Sequence, residues 1–130
     1  MHPSPGYILL LVQQPRVLGF LNELLKQCRY SVAITCSEAQ AVAHTLHQPP
    51  FLIIVAGDRH HWPHLQLQEL RSQANTHQIT LIALTDSNAP SWVYQEDNPG
   101  FDGFLVNPIS IDILSSLIHS AQARQHCYSH

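Results

Sequence analysis

The chain reads Phe51-Leu52-Ile53-Ile54-Val55-Ala56-Gly57 at the stretch that decides its fold. Pro49 and Pro50 prevent a helix from running into this stretch. The run of large apolar residues is typical of a strand buried on both faces, as in a parallel sheet covered by helices. Ligands of open parallel sheets bind beyond the carboxyl ends of the strands. Ala56 therefore stands where a reactive side chain is expected, and it has no functional group.

Further apolar runs predict four more strands, and these alternate with segments of helical periodicity. Pro15 suits the first turn of a helix, and Ser37 with Gln40 forms a capping-box pattern. The predicted strands are 7–12, 30–36, 51–57, 79–85 and 103–106, and the predicted helices are about 15–28, 37–47, 64–74 and 110–124. This alternation predicts an α/β fold with a parallel sheet between helices. The helical residues expected to face the sheet include Val42, Ala43, Leu46, Leu70, Ala74, Ile111, Leu114, Leu117, Ile118 and Ala121.

Residues 86–100 are the least regular part of the sequence. Pro90 and Pro99 leave room for a helix of at most two turns between them. We therefore expect a short or irregular helix there. The whole chain, 1–130, is expected to form a single domain with its core at about 7–124.

The composition argues against several classes of function. A net charge of −3 gives no basic field for nucleic acid, and no apolar run is long enough to cross a membrane. No glycine-rich nucleotide motif follows any predicted strand. The three cysteines, Cys28, Cys36 and Cys127, lack a C-x-x-C pair, so reduced thiols in a cytoplasmic protein are expected.

The ends of the predicted strands resemble those of response-regulator receiver domains. The most specific stretch is Gly100–Pro108, where the family pattern is Gly-Ala-Asp-(Asp/Gly)-(Tyr/Phe)-Leu-Val-Lys-Pro. Phe101 and Asn107 stand where that pattern has Ala and Lys. The resemblance covers about 7–124. It implies a flavodoxin-like three-layer sandwich with strand order 2-1-3-4-5 and helices on both faces.

The same resemblance implies that the chemistry of the family has been lost here. Receivers accept a phosphoryl group on an aspartate after the third strand, with Mg²⁺ held by two acidic residues after the first. A lysine and a Ser/Thr contact the phosphoryl oxygens. The matching residues here are Ala56 for the acceptor, Gln13 and Gln14 for the acidic pair, Asn107 for the lysine and Thr85 for the hydroxyl. Alanine cannot form an acyl phosphate, and neutral amides are poor Mg²⁺ ligands. The chain thus looks like a degenerate receiver, or pseudo-receiver.

Two residues near this edge of the sheet have alternative interpretations. Asp58 lies two positions beyond Ala56 and is either a shifted phosphoacceptor or a solvated turn residue. The turn is favoured, because shifting the alignment would not restore the acidic pair or the lysine. Phe104 matches the switch aromatic of the family, although core packing is the commoner role of such a residue.

Two ligand sites are weaker alternatives. The uncharged polar residues at the strand ends could form a pocket for a small neutral ligand. His60, His61 and His64 could hold a metal, but Pro63 interrupts the helix that would align them, and surface polarity explains them more simply.

The predicted function is regulatory and non-enzymatic, with no cofactor and no metal. The expected partner is a protein, either a sensor kinase or another signalling protein, and neither nucleic acid nor membrane. A homodimer is left open. Trp92 and Tyr94 are the expected anchors of the partner surface, because aromatic residues often anchor protein interfaces.

Overall fold

In a computed structural model of the chain, five parallel strands form one sheet in the order 2-1-3-4-5. The structure describes residues 6–12, 21–27, 30–56, 64–85, 101–106 and 109–127, except for the side chains of 64–67, 85, 106, 126 and 127. The strands are β1 (Ile8–Val12), β2 (Val32–Thr35), β3 (Leu52–Ala56), β4 (Thr80–Thr85) and β5 (Gly103–Val106). The helices are α1 (Leu21–Gln27), α2 (Glu38–His47), α3 (His64–His77) and α4 (Ile111–Cys127). The predicted fold class and strand order are confirmed.

The two strands β1 and β3 form the buried centre of the sheet. Every residue of both strands is buried, and they pair with each other along their full length. Successive side chains of a strand point to opposite faces, so a strand buried on both faces needs an unbroken apolar run. The sequence of residues 52–56 meets this requirement, which is why this run specifies the centre of the fold.

Helices cover both faces of the sheet and bury two separate apolar clusters. On one face, α1 and α4 pack against Ile8, Leu10 and Ile54 of the central strands. On the other face, α2 and α3 pack against Leu9 and Ile53. The predicted three-layer arrangement is therefore present.

The buried face of α2 differs from the predicted one. Ala43 is exposed and Leu46 is 63% exposed, whereas Ala41 and Thr45 are buried. Thr45 tolerates burial because its hydroxyl donates a hydrogen bond to the carbonyl of Ala41 at 2.9 Å. Val42 is partly buried, as expected. The prediction for Ala43 and Leu46 was wrong. Ala41 and Thr45 lie one helical turn apart and also form a regular face of the helix, but this face is less apolar than the one with Leu46, so hydrophobicity alone did not select it.

The start of α2 nearly matches the predicted capping box. The Ser37 hydroxyl accepts a hydrogen bond from the backbone N–H of Gln40 at 3.2 Å. The Gln40 side chain accepts from the backbone N–H of Cys36 at 3.0 Å, one residue before the N-cap. Both bonds fix the point at which the helix begins.

The remaining elements agree with the predicted positions within a few residues where they are described, and the predicted start of the first helix, 15–20, lies outside the described residues. Helix α3 continues three residues beyond the predicted end at 74, and α4 continues to Cys127. Leu114, Ile118 and Ala121 are buried as predicted, but Ile111, the first residue of the helix, is 40% exposed. The short helix expected within 86–100 lies outside the described residues. No helix in the described part of the chain is long and apolar enough to span a membrane.

Candidate functional site

The candidate site lies at the carboxyl edge of the sheet, where four strands end side by side. Val12, the last residue of β1, pairs with Ala56, the last residue of β3. Ala56 pairs on its other side with Leu84, and Thr85 at the end of β4 pairs with Val106 at the end of β5. The register therefore brings together the strand ends that the sequence placed around a common site.

Ala56 is fully buried at this edge. Its exposed fraction is 0%, and its methyl group belongs to the apolar cluster that also contains Val12 and Leu84. Leu21 and Leu25 of α1 complete the same cluster above this part of the sheet. The register partners of Ala56 on both sides, Val12 and Leu84, are apolar, so neither of these two neighbours offers a partner for a charged group at position 56.

Most of the other predicted site residues lie outside the described residues. These are Gln13, Gln14, Asp58 and Asn107, together with the partner-surface residues Trp92 and Tyr94. Thr85 is the last residue of β4, but its side chain is not among those described.

Phe104 is described, and its side chain is partly buried. It lies against the apolar cluster under α2 and α3. Its ring meets that of Phe101 edge-to-face, with the ring centroids 6.0 Å apart.

Asp102, in the middle of the family-like motif, has a structural role that sequence reasoning missed. One carboxylate oxygen accepts a hydrogen bond from the buried backbone N–H of Leu81 at 2.8 Å. The carboxylate also pairs with Arg71 of α3 and Arg124 of α4, each at 3.2 Å. It precedes β5, at the opposite edge of the sheet from the strand ends. Asp102 therefore ties two helices on opposite faces to β4 and takes no part in the candidate site.

Gly103, the next residue of the motif, lies close to the neighbouring strand. A Cβ atom at this position would lie 3.2 Å from Cδ1 of Ile82, its register partner on β4. A larger residue at position 103 would therefore require the Ile82 side chain to shift.

Two ionisable groups in the described residues have shifted pKa values. Burial raises the pKa of the Tyr7 hydroxyl, which donates a hydrogen bond to the carbonyl of Gln48 at 2.6 Å. Burial also raises the pKa of Glu38, and repulsion from Glu69 adds to that rise. Tyr7 directly precedes β1, at the edge of the sheet opposite the strand ends, and Glu38 lies in the first turn of α2.

The side chains of the predicted histidine cluster lie outside those that the structure describes. His60 and His61 lie outside the described residues, and the side chain of His64 is not described. Among the side chains that are described, no group of three or more His, Cys, Asp or Glu residues is arranged to hold a metal ion.

Comparison with known proteins shows a similarity of structure without a close relative in sequence. No protein-family model and no curated protein matches the chain. Among solved structures, it is similar to a response regulator receiver modulated diguanylate cyclase from Pelobacter carbinolicus. That match has a TM-score of 0.70 and 25% identity, and it covers 95% of this chain and 97% of the other.

Two receiver domains of histidine kinases give similar matches. One is the receiver domain of a sensor histidine kinase from Pseudomonas aeruginosa PAO1, whose structure has a magnesium ion coordinated in the active site cleft. It matches with a TM-score of 0.71 and 21% identity, and the match covers 91% of this chain and 98% of the other. The other is the receiver domain of a signal transduction histidine kinase from Syntrophus aciditrophicus. It matches with a TM-score of 0.66 and 22% identity, and the match covers 91% of this chain and 90% of the other. The chain thus has the fold of a response-regulator receiver domain, and the resemblance inferred from its sequence is confirmed at the level of the fold.

Proposed function

We propose that this chain is a receiver-like regulatory module of two-component signal transduction that is not phosphorylated and acts through protein contact. The receiver fold supports the signalling class. One observation carries the rest of the proposal: the residue at the acceptor position, Ala56, is a fully buried alanine inside an apolar cluster.

Phosphoryl transfer to a receiver needs a carboxylate nucleophile and positive charge to stabilise the transferring group. The methyl group of Ala56 supplies neither, and its neighbours in the register, Val12 and Leu84, are apolar as well. The resemblance also places neutral amides, Gln13 and Gln14, where Mg²⁺ ligands are needed. With nucleophile and metal ligands both replaced, a regulatory, non-enzymatic role is the one that remains consistent with the fold.

Incubation with acetyl phosphate and Mg²⁺ is expected to leave the mass of the intact protein unchanged. The physical reason is that no acyl phosphate can form at Ala56. Rapid intact-mass spectrometry near neutral pH is the measurement, because an acyl phosphate hydrolyses in base and a phosphohistidine hydrolyses in acid. The positive control is a receiver domain with an aspartate acceptor. Under the same conditions its mass is expected to increase by one phosphoryl group.

A phosphoryl adduct would contradict this proposal, and its position would say how. An adduct that disappears in Asp58→Asn would identify Asp58 as a shifted acceptor. An adduct on a histidine would instead indicate a different role in phosphotransfer. In either case the protein would be a phosphorylated component of the pathway.

A groove between β5 and α4 supports protein contact as the mode of action. Its volume is about 320 Å³, and its apolar lining includes Phe104, Leu105, Ile113 and Leu117. Ile113 is 59% exposed. Exposed apolar side chains beside a groove are typical of an interaction surface. We propose that a sensor kinase or another signalling protein docks there, with Trp92 and Tyr94 as further anchors.

Replacing Ile113 with Asp is expected to abolish capture of the partner without unfolding the protein. The substitution places a charge on an exposed position of the groove, where it has little effect on stability but opposes apolar contact. The measurement is affinity capture from the source cells followed by binding of the purified partner. Leu46→Asp is the matched control, because Leu46 is 63% exposed on the opposite face of the sheet.

The paired variants also locate the surface if the proposal is wrong. Equal binding by wild type and Ile113→Asp would remove the groove from the interface. Loss of binding in Leu46→Asp alone would move the interface to α2. Trp92→Ala and Tyr94→Ala, tested in the same assay, show whether the aromatic segment belongs to the surface.

A further inference from the structure

A second cavity, at the amino-terminal edge of the sheet, is unrelated to the strand ends. Its volume is about 360 Å³, and it lies between the last turn of α2 and the residues that open β1 and β2. Val32 and Ala33 form its apolar side. Its polar lining consists of Tyr7, Ser31, His44, His47 and Gln48. Among the described residues that line it there is no lysine or arginine.

Two histidines of the same helix line this cavity. His44 and His47 are three residues apart on α2, and residues at that spacing are neighbours on a helix surface. Both residues are exposed and both line the cavity. Neither imidazole takes part in a hydrogen bond or an ion pair in the described part of the chain. Their ring nitrogens are therefore available to a ligand.

The local field favours a cation at this place. The carboxyl end of a helix carries partial negative charge from its last carbonyl groups, and both histidines lie in the last turn of α2. The Tyr7 hydroxyl donates to the carbonyl of Gln48 and holds the end of the helix against β1.

We propose that His44 and His47 form a binding site for a borderline divalent transition metal, of which Zn²⁺ is the type. Imidazole nitrogen suits Zn²⁺, Cu²⁺ and Ni²⁺, whereas Mg²⁺ and Ca²⁺ require oxygen ligands. The chain supplies two ligands, since no third His, Cys, Asp or Glu joins them among the described side chains. Water fills the remaining positions, for which the cavity has ample room, and the Ser31 hydroxyl lines the same space. The site is open and exchanges its metal readily.

The test is a titration of the full chain with ZnCl₂, followed by ¹H–¹⁵N correlation spectra. The amide chemical shifts of residues 31–33 and 44–48 are expected to change on addition of Zn²⁺ until the site is saturated. His44→Ala and His47→Ala are each expected to weaken this binding by about tenfold or more, because one of two protein ligands is lost. His119→Ala is the matched control, since His119 is exposed on α4 and lines neither cavity.

The other outcomes each overturn the proposal. Shifts confined to other histidines would place the metal elsewhere on the chain. Shifts at 44–48 that survive both substitutions would show that the imidazoles are not the ligands. Equal shifts with MgCl₂ would indicate oxygen ligation. A variant that fails to fold is replaced by His44→Gln or His47→Gln, which keep a polar side chain of similar length. None of these results depends on whether the chain is phosphorylated.

Discussion

Ala56→Asp is expected to lower the free energy of unfolding by about 3–5 kcal/mol at neutral pH, the cost of leaving a buried charge without a partner. The methyl group it replaces is 0% exposed and packs with Val12 and Leu84. The introduced carboxyl would therefore either carry an unpaired charge or keep its proton at the expense of a raised pKa. Urea denaturation followed by circular dichroism measures the loss.

The pH dependence separates the charge effect from a steric one. A carboxyl whose pKa is raised by folding costs nothing extra below its unfolded pKa of about 3.9. Above that value the folded state holds its proton longer than the unfolded state does, so the penalty grows with pH until the folded pKa is reached. The deficit of Ala56→Asp is thus expected to be larger at pH 7.5 than at pH 5. A deficit that is the same at both pH values would indicate crowding alone.

A control and a rescue complete this experiment. Ala39→Asp introduces the same side chain at an exposed position in the first turn of α2, and we expect little loss of stability there. Adding Gln13→Asp, Gln14→Asp and Asn107→Lys to Ala56→Asp is expected to recover stability in Mg²⁺, because the metal and the lysine would compensate the carboxylates. Full stability of Ala56→Asp alone would show that the acceptor position is already polar, contrary to its described surroundings.

The strands were predictable because each depends on a local pattern. The apolar runs of β1 and β3 match the requirement of a strand buried on both faces, and the structure has them within one residue of the predicted bounds. The face of α2 was less predictable, because its burial depends on tertiary packing. A hydrogen bond within the helix lets Thr45 take an inward position, while Leu46 points outward. Apolarity alone cannot show that a polar side chain will be satisfied when it is buried.

The location of the candidate site was predictable, but the contacts elsewhere were not. Parallel strands must end at one edge, so the register that pairs Val12 with Ala56 follows from the fold class. The ion pairs of Asp102 bring together Arg71 and Arg124 from helices that are distant in the sequence. The cavity lined by His44 and His47 likewise combines residues of three separate segments. Such contacts have no local sequence signal, and only the three-dimensional arrangement shows them.

Asp102→Ala is expected to lower the free energy of unfolding by about 2–3 kcal/mol, mainly through the loss of one hydrogen bond. The backbone N–H of Leu81 donates to the carboxylate at 2.8 Å, and Leu81 is fully buried. Without the carboxylate this donor loses a charged acceptor, which is worth about 1.5–3 kcal/mol. The pairs with Arg71 and Arg124 are partly exposed, so each adds about 1 kcal/mol or less.

Two further variants decide which of these interactions dominates. Asp102→Asn keeps an oxygen that can accept from Leu81 and loses only the charge, so its cost is expected to be about 1 kcal/mol. Arg124→Ala removes one ion pair and leaves the hydrogen bond in place, and we expect a cost below about 1 kcal/mol. Thermal and urea denaturation of the three variants give the comparison. If Arg124→Ala lowers the free energy of unfolding as much as Asp102→Ala does, the ion pair between Arg124 and Asp102 is the dominant interaction of the carboxylate. If Asp102→Asn equals Asp102→Ala, the negative charge is what the two arginines and the buried N–H require.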